Sequence, residues 1–191
     1  TIFALNGKKT LIVGFDLRKP KIYQDFGLMN IKGVSTYLAH KCELEEIIQH
    51  TPVENLGMIS AGPVPPNPAE LIAQPQTDEL FKRLKALYDI IILDTPPIGV
   101  VTDPLLLIKY SDANIYIVRH NYTPLKVFKS LSKDLERNNI PNLSILINDV
   151  YVMDKYYGYG YGYGYGYGYG YGYGYSYGQG YGQGYYEDEE K

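Results

Sequence analysis

Two aspartates mark where chemistry is to be sought in this sequence. Asp16 follows the apolar run 10–15 and opens the stretch Asp16-Leu17-Arg18-Lys19-Pro20, and Asp94 follows the run 90–93 and opens Asp94-Thr95-Pro96-Pro97. Short β-branched runs bounded by turn residues read as buried strands, so each strand delivers one carboxylate just past its end. Two such carboxylates could hold one divalent cation between them, because Mg²⁺ takes one or two carboxylates and fills its shell with water and substrate phosphates. Taken singly, either aspartate reads equally well as a turn residue or a helix N-cap. The second stretch is the more specific, since Pro96 and Pro97 stop the strand and fix the loop at the sheet edge.

The elements that must position these residues can be read around them. Runs 10–15, 56–60, 90–93, 113–118 and 143–147 are too short for typical helices and are bounded by turn residues. Between them, the segment 77–88 puts Leu80, Leu84 and Leu87 on one helical face. Thr123-Pro124 offers an N-cap and a first-turn proline ahead of Leu125, Phe128, Leu131 and Leu135. Apolar strands alternating with amphipathic helices predict an α/β fold, a parallel sheet flanked by helices on both faces. In such sheets ligands bind beyond the carboxyl ends of the strands, where Asp16 and Asp94 fall.

Phosphate recognition needs a glycine-rich loop leading into a helix N-terminus. Gly7-Lys8-Lys9-Thr10 does not supply it: Lys9 stands where Ser or Thr should follow the lysine, Ile2 stands at the earlier glycine, and a strand comes next. It reads as the solvated turn between a helix ending near Leu5 and the first strand. Any phosphate loop is expected upstream of Thr1.

Composition narrows the class. Of 22 tyrosines and 20 glycines, 15 and 13 fall between Tyr156 and Tyr186, which leaves residues 1–155 as an ordinary globular body and 156–191 as a flexible Tyr/Gly-rich tail. The body balances 17 basic against 17 acidic side chains, so the net charge of -3 comes from the acidic end, and a nucleic-acid partner is not expected. The single Cys42 excludes an intrachain disulfide framework and suits a reducing compartment. No apolar run approaches the roughly 18 residues of a membrane span. A start at Thr1 without an initiator methionine or leader reads as a fragment or a trimmed chain. His40, His50 and His120 lack metal-ligand spacing. The segment from Gly62 to Pro68 holds four prolines and reads as a rigid loop inside one domain.

Taken together, Leu11-Ile12-Val13-Gly14-Phe15-Asp16-Leu17-Arg18-Lys19-Pro20, Gly62-Pro63-Val64-Pro65-Pro66-Asn67-Pro68-Ala69-Glu70-Leu71, Tyr88-Asp89-Ile90-Ile91-Ile92-Leu93-Asp94-Thr95-Pro96-Pro97 and a tyrosine-rich end resemble the bacterial tyrosine kinases of capsule and exopolysaccharide export, the Wzc and CpsD type. That family is related to the ParA/MinD-like P-loop ATPases. The first stretch is similar to its second Walker-A-type motif and the third to its Walker B strand. The resemblance implies a P-loop fold whose first strand and phosphate loop are missing here, with ATP and Mg²⁺ as cofactors. It implies that Asp94 orders the metal shell through water and that Asp16 acts at the metal or on the acceptor hydroxyl. Arg18 and Lys19 would stabilise charge on the transferring phosphoryl group, although a surface salt bridge is an equal reading of Arg18. Asn148 matches a position that reads the adenine edge in ParA-like relatives, or is a plain turn residue.

Two features depart from the family. Gly14 stands where the second Walker-A-type motif usually carries a first aspartate, which leaves the catalytic base open among Asp16, a water and another group. Without a phosphate loop, the chain from Thr1 is expected to bind ATP poorly and to be inactive alone. The family's partners would be a ring-like homo-oligomer phosphorylating in trans, a membrane-spanning activator fused upstream or separate, and a tyrosine phosphatase. Its place would be the cytoplasmic face of the bacterial inner membrane.

Glycine at alternate positions blocks helix formation and packing, so the tail reads as an extended arm. Thirty residues could span at most on the order of 100 Å, far enough to reach a neighbouring subunit. The expected phosphoacceptors are Tyr157, Tyr159, Tyr161, Tyr163, Tyr165, Tyr167, Tyr169, Tyr171, Tyr173, Tyr175, Tyr177, Tyr181, Tyr185 and Tyr186. An aggregation-prone aromatic segment and a passive low-complexity expansion are the other readings. For the whole chain the alternatives to an autokinase are a partner-switching ATPase of ParA/MinD type and a non-catalytic, phosphorylatable scaffold.

Overall fold

The computed structural model describes residues 1–150. The tail tyrosines named above therefore lie outside the described residues. The described residues divide into two compact units, one made of Thr1–Asn114 with Asn139–Asn142, the other of Ile115–Asn138 with residues 143–150.

The first unit is built on four strands, β1 Thr10–Gly14, β2 Ile48–His50, β3 Leu56–Ile59 and β4 Ile90–Asp94, in the order β2-β3-β1-β4. β1 pairs in parallel with both β3 and β4, as the alternation of strands and helices predicts. β2 is an addition to that reading and runs antiparallel to β3. It is three residues long and follows α4 Leu44–Ile47 directly, so it offers no periodicity to read. A short loop turns it back onto β3, with Asn55 at φ +60, and strands joined by so short a loop pair antiparallel.

Alternation along β1 explains how both faces of this sheet are covered. Leu11, Val13 and Phe15 point into one cluster with residues of α3 Val34–Leu38, α4, α5 Pro68–Ile72, α6 Pro75–Leu87 and α7 Asp103–Leu107. Ile12 points the other way, with Leu56 and Met58, onto Ala4 of α1 Ile2–Leu5 and onto Ile22 and Tyr23 of α2 Ile22–Asp25. On α6 the buried stripe is Thr77, Leu80, Phe81 and Leu84, the i, i+3, i+4, i+7 pattern. Leu87, expected on this stripe, is 49% exposed because the helix ends there and Tyr88 is already extended. Phe81 supplies the missing bulk, stacked between Phe15 at 5.5 Å and Tyr110 at 4.1 Å.

The proline-rich stretch is a loop inside this unit, between β3 and α5, as expected. It is sewn to the start of α3: Val34 and Ser35 donate their N–H groups to the carbonyls of Ser60 (2.9 Å) and Ala61 (2.8 Å), and the Ser35 hydroxyl donates to the Pro63 carbonyl at 2.7 Å. The Asn30 side chain closes a two-bond clamp on the backbone of Gly62, at 2.9 and 2.8 Å.

The second unit contains most of β5 Asn114–Arg119, with α8 Leu125–Arg137 and β6 Leu143–Asn148. β5 and β6 form a two-stranded sheet. Asn114 N–H reaches Asn142 O and His120 N–H reaches Asn148 O, the same offset at both ends, which is a parallel register. Tyr116 and Phe128 stack at 6.4 Å. The start of α8 corrects the sequence reading by one residue: Pro124, at φ -62 and ψ 134, occupies the cap position itself. The Thr123 hydroxyl turns back to accept the Arg119 N–H at 3.0 Å. Among the described residues, no helix is long and apolar enough to cross a membrane.

Candidate functional site

The parallel register of β1 and β4 sets Gly14 opposite Asp94, and the Phe15 N–H donates to the Asp94 carbonyl at 2.7 Å. Asp16 thus leaves the sheet beside the end of β4, at the carboxyl edge where it was expected with Asp94. Both side chains are partly buried. Burial, reinforced by the negative charges of Asp16 and Asp25, holds the Asp94 carboxyl above the usual carboxylate range. That repulsion is what a divalent cation would relieve, so the acidic edge fits one. Among the described residues no group of three His, Cys, Asp or Glu side chains could hold a metal by itself. The fit is therefore to an ion such as Mg²⁺ that keeps most of its shell for water and phosphate.

Asp16 also shapes its own loop. Its Oδ1 accepts the N–H groups of Arg18 at 3.1 Å and Lys19 at 2.9 Å, which is the turn reading of this residue. Leu17 between them is buried in the main core and pins the loop. The Arg18 guanidinium grips Asp103 through two bonds, Nε to Oδ2 at 2.8 Å and Nη2 to Oδ1 at 3.1 Å. Arg18 is thus in a salt bridge, but to a fully buried partner and not the surface pair of its alternative reading.

Gly14, where the family resemblance leads to the expectation of a further aspartate, is closed in. A Cβ there would lie 3.2 Å from the Ala61 backbone nitrogen and 3.6 Å from an Ile22 methyl. A side chain at this position requires the backbone at Ala61, just past β3, to give by a few tenths of an ångström.

The remaining candidates lie elsewhere. Gly7, at φ +79, forms the turn between α1 and β1 at the amino end of the strand, opposite Asp16, and no phosphate loop is built there. Asn148 closes β6 in the second unit, exposed, its carbonyl accepting the His120 N–H at 2.9 Å. Sequence reasoning missed Asp103 and Asp25. Thr102-Asp103-Pro104 carries an ordinary helix-start signature, which α7 obeys, and Asp25 ends a four-residue helix. Neither carries a local signal of its role.

The parallel α/β core is a fold shared with the septum site-determining protein MinD. A MinD structure from Pyrococcus horikoshii, described as complexed with Mg-ADP, superposes with a TM-score of 0.57 at 24% identity, over 75% of this chain and 58% of that one. That likeness shows the fold. No family profile matches the chain, but named relatives are closer in sequence. The putative tyrosine-protein kinase CapB of Staphylococcus aureus is 36% identical over 165 residues, 83% of this chain and 71% of its own length. The tyrosine-protein kinase YwqD of Bacillus subtilis is 37% identical over 122 residues, 64% of this chain. The kinase domain of Escherichia coli tyrosine kinase ETK superposes with a TM-score of 0.75 at 30% identity, covering 86% of this chain and 64% of that one. The chain belongs to the bacterial tyrosine-protein kinases. It spans 52% of the length of YwqD.

Proposed function

We propose that this chain forms the acidic edge of an ATP-dependent protein-tyrosine autokinase that regulates capsular or extracellular polysaccharide synthesis and export, with the C-terminal tyrosine cluster as phosphoacceptor. The observation that carries this reading is the pairing of β1 with β4, which brings Asp16 and Asp94 to one sheet edge in a member of the kinase family. When bound, Mg²⁺-ATP would supply the phosphoryl group and much of the charge neutralisation. Asp94 would hold the ion through its water shell. Asp16 would act at the metal or receive the proton of the acceptor phenol as its oxygen bonds to the terminal phosphorus and the bond to the ADP oxygen breaks. Arg18 and Lys19 would offset charge on the phosphoryl oxygens.

Asn148 would face the adenine. The chain would work as a ring-like homo-oligomer in which one copy's tail enters another's site. A membrane-spanning activator would hold it at the cytoplasmic face of the inner membrane, and a phosphatase would reset the tail. The phosphate loop would come from residues upstream of Thr1, and the chain as given would be a substrate without being an enzyme.

The test is phosphotyrosine formation with Mg²⁺-ATP by the full polypeptide that contains this chain, by the chain itself, and by Asp94→Asn in the full polypeptide. The expected result is strong labelling only in the unaltered full polypeptide. Equal labelling in Asp94→Asn would remove Asp94 from the mechanism, and robust labelling by the chain alone would overturn the need for an upstream loop. ATP hydrolysis without phosphotyrosine would favour a partner-switching ATPase.

A further inference from the structure

Among the ion pairs of the described residues, Arg18–Asp103 is the one whose carboxylate is fully buried, while the Arg18 side chain keeps 32% of its surface in water. Such a pair is poorly explained by stability, since apolar residues of similar size usually serve a core as well or better. What a bidentate fork does supply is geometry: both the position and the plane of the guanidinium are fixed. Arg18 is held at its other end too, because its own N–H is bonded to Asp16 and its neighbour Leu17 is buried. The result is a long cationic side chain anchored at root and tip, still reachable from solvent, on the loop that carries Asp16. Asp103 comes nine residues after Asp94, at the start of α7, so the pair also ties the loop after β1 to the segment after β4.

We infer that Asp103 is a positioning residue for phosphoryl transfer: it holds the Arg18 guanidinium in a fixed orientation at the carboxyl edge, so that its charge is in place before the phosphoryl oxygens develop theirs. Preorganised charge of this kind costs no rearrangement during the reaction. The inference rests on the kinase reading above and adds a residue that neither the sequence nor the family resemblance singled out.

The experiment uses the full polypeptide with Mg²⁺-ATP and a tyrosine peptide, comparing wild type, Asp103→Asn, Arg18→Lys and the double variant. Asn preserves shape and one acceptor but cannot hold the charged fork. We expect kcat to fall about tenfold or more in each single variant, with KM for ATP changed by no more than about threefold, since a misplaced group loses rate more than ground-state binding. The double variant should be no slower than Arg18→Lys, because Asp103 acts through Arg18. In parallel, ¹⁵N NMR of the guanidinium should show the Arg18 Nε–H protected from exchange in wild type and exposed in Asp103→Asn, with the backbone spectrum otherwise unchanged. A kcat within about twofold of wild type in Asp103→Asn, losses that multiply in the double variant, or an unprotected Arg18 Nε–H in wild type would overturn the inference. So would a broad change of the backbone spectrum in Asp103→Asn, which marks Asp103 as part of the framework. A wild type that forms no phosphotyrosine overturns the kinase reading itself, and this inference with it. An active wild type with unimpaired Asp103→Asn overturns this inference alone.

Discussion

Gly33→Ala is the substitution whose cost the structure specifies most directly. An alanine Cβ at this position would lie 2.2 Å from the Ser60 carbonyl oxygen, 2.4 Å from the Gly62 nitrogen and 2.8 Å from the Ala61 carbonyl carbon. All three atoms are backbone, so no rotamer change relieves the contact. Ordinary packing requires the start of α3 to retreat by about 1 Å. That movement stretches the Val34–Ser60 and Ser35–Ala61 hydrogen bonds, now 2.9 and 2.8 Å, beyond useful range. Overpacking of about 1–3 kcal/mol and about 1 kcal/mol for each lost bond sum to about 3–5 kcal/mol. Urea denaturation followed by far-UV circular dichroism should show a midpoint lower by about 2 M at a typical slope. Gly27→Ala is the control: it has open space around its Cβ and only a positive φ of +64, so it should cost about 1 kcal/mol. A Gly33→Ala midpoint no lower than that of Gly27→Ala would refute the claim that α3 is sewn rigidly to the end of β3.

Three further outcomes follow from described contacts and from the tail. Asp94 titrates above the usual carboxylate range in the fold, so the fold favours its protonated form. The stability this adds is complete below the unfolded value of 3.8 and is lost as pH rises through the higher folded value. Asp94→Asn should therefore melt above wild type near neutral pH, with the advantage fading as the buffer is taken below 3.8; equal melting near neutrality would show that burial and the neighbouring charges do not penalise the ionised Asp94. Phe81→Ala removes the middle of the Phe15–Phe81–Tyr110 stack and should cost about 3–5 kcal/mol, against about 0.5 kcal/mol for Leu87→Ala on the same helix, as read by thermal melts. Each phosphotyrosine in the tail adds about -1.5 to -2 charges beside the acidic end, so sedimentation of the full polypeptide at low salt should show smaller oligomers as modification accumulates. An unchanged distribution would remove charge repulsion as the cause.

The strands were legible because they are written as local runs. Thr10–Gly14, Leu56–Ile59, Ile90–Asp94, Asn114–Arg119 and Leu143–Asn148 all fall within about a residue of the apolar segments. β2 was not legible, since Ile48–His50 becomes a strand only by being folded back on β3. For the site, Asp16 and Asp94 were legible as strand-end carboxylates, and the register confirms that they share an edge. Asp103 was not, because an aspartate before a proline at a helix start is explained by local rules, and its contact with Arg18 crosses 85 residues. On α6, helical periodicity alone leaves Leu87 and Phe81 equivalent; the end of the helix at Leu87 and the stacking of Phe81 between Phe15 and Tyr110 decided between them.

The Gly14–Asp94 register carries a consequence for the order in which this chain assembles. β2 and β3 meet across a short turn, whereas β1 and β4 must close a loop of 80 residues before their first contact is rewarded. Loop-closure entropy makes such a pairing slow and late relative to the hairpin. The two strand-end carboxylates are thus brought together by one of the last steps of folding in their unit. Pulse-labelled hydrogen exchange would see amides of β3 protected before those of β4. A chain stalled before that step would keep its hairpin and much of its helix while having no acidic edge at all, so the site itself is the mark that this unit has finished folding.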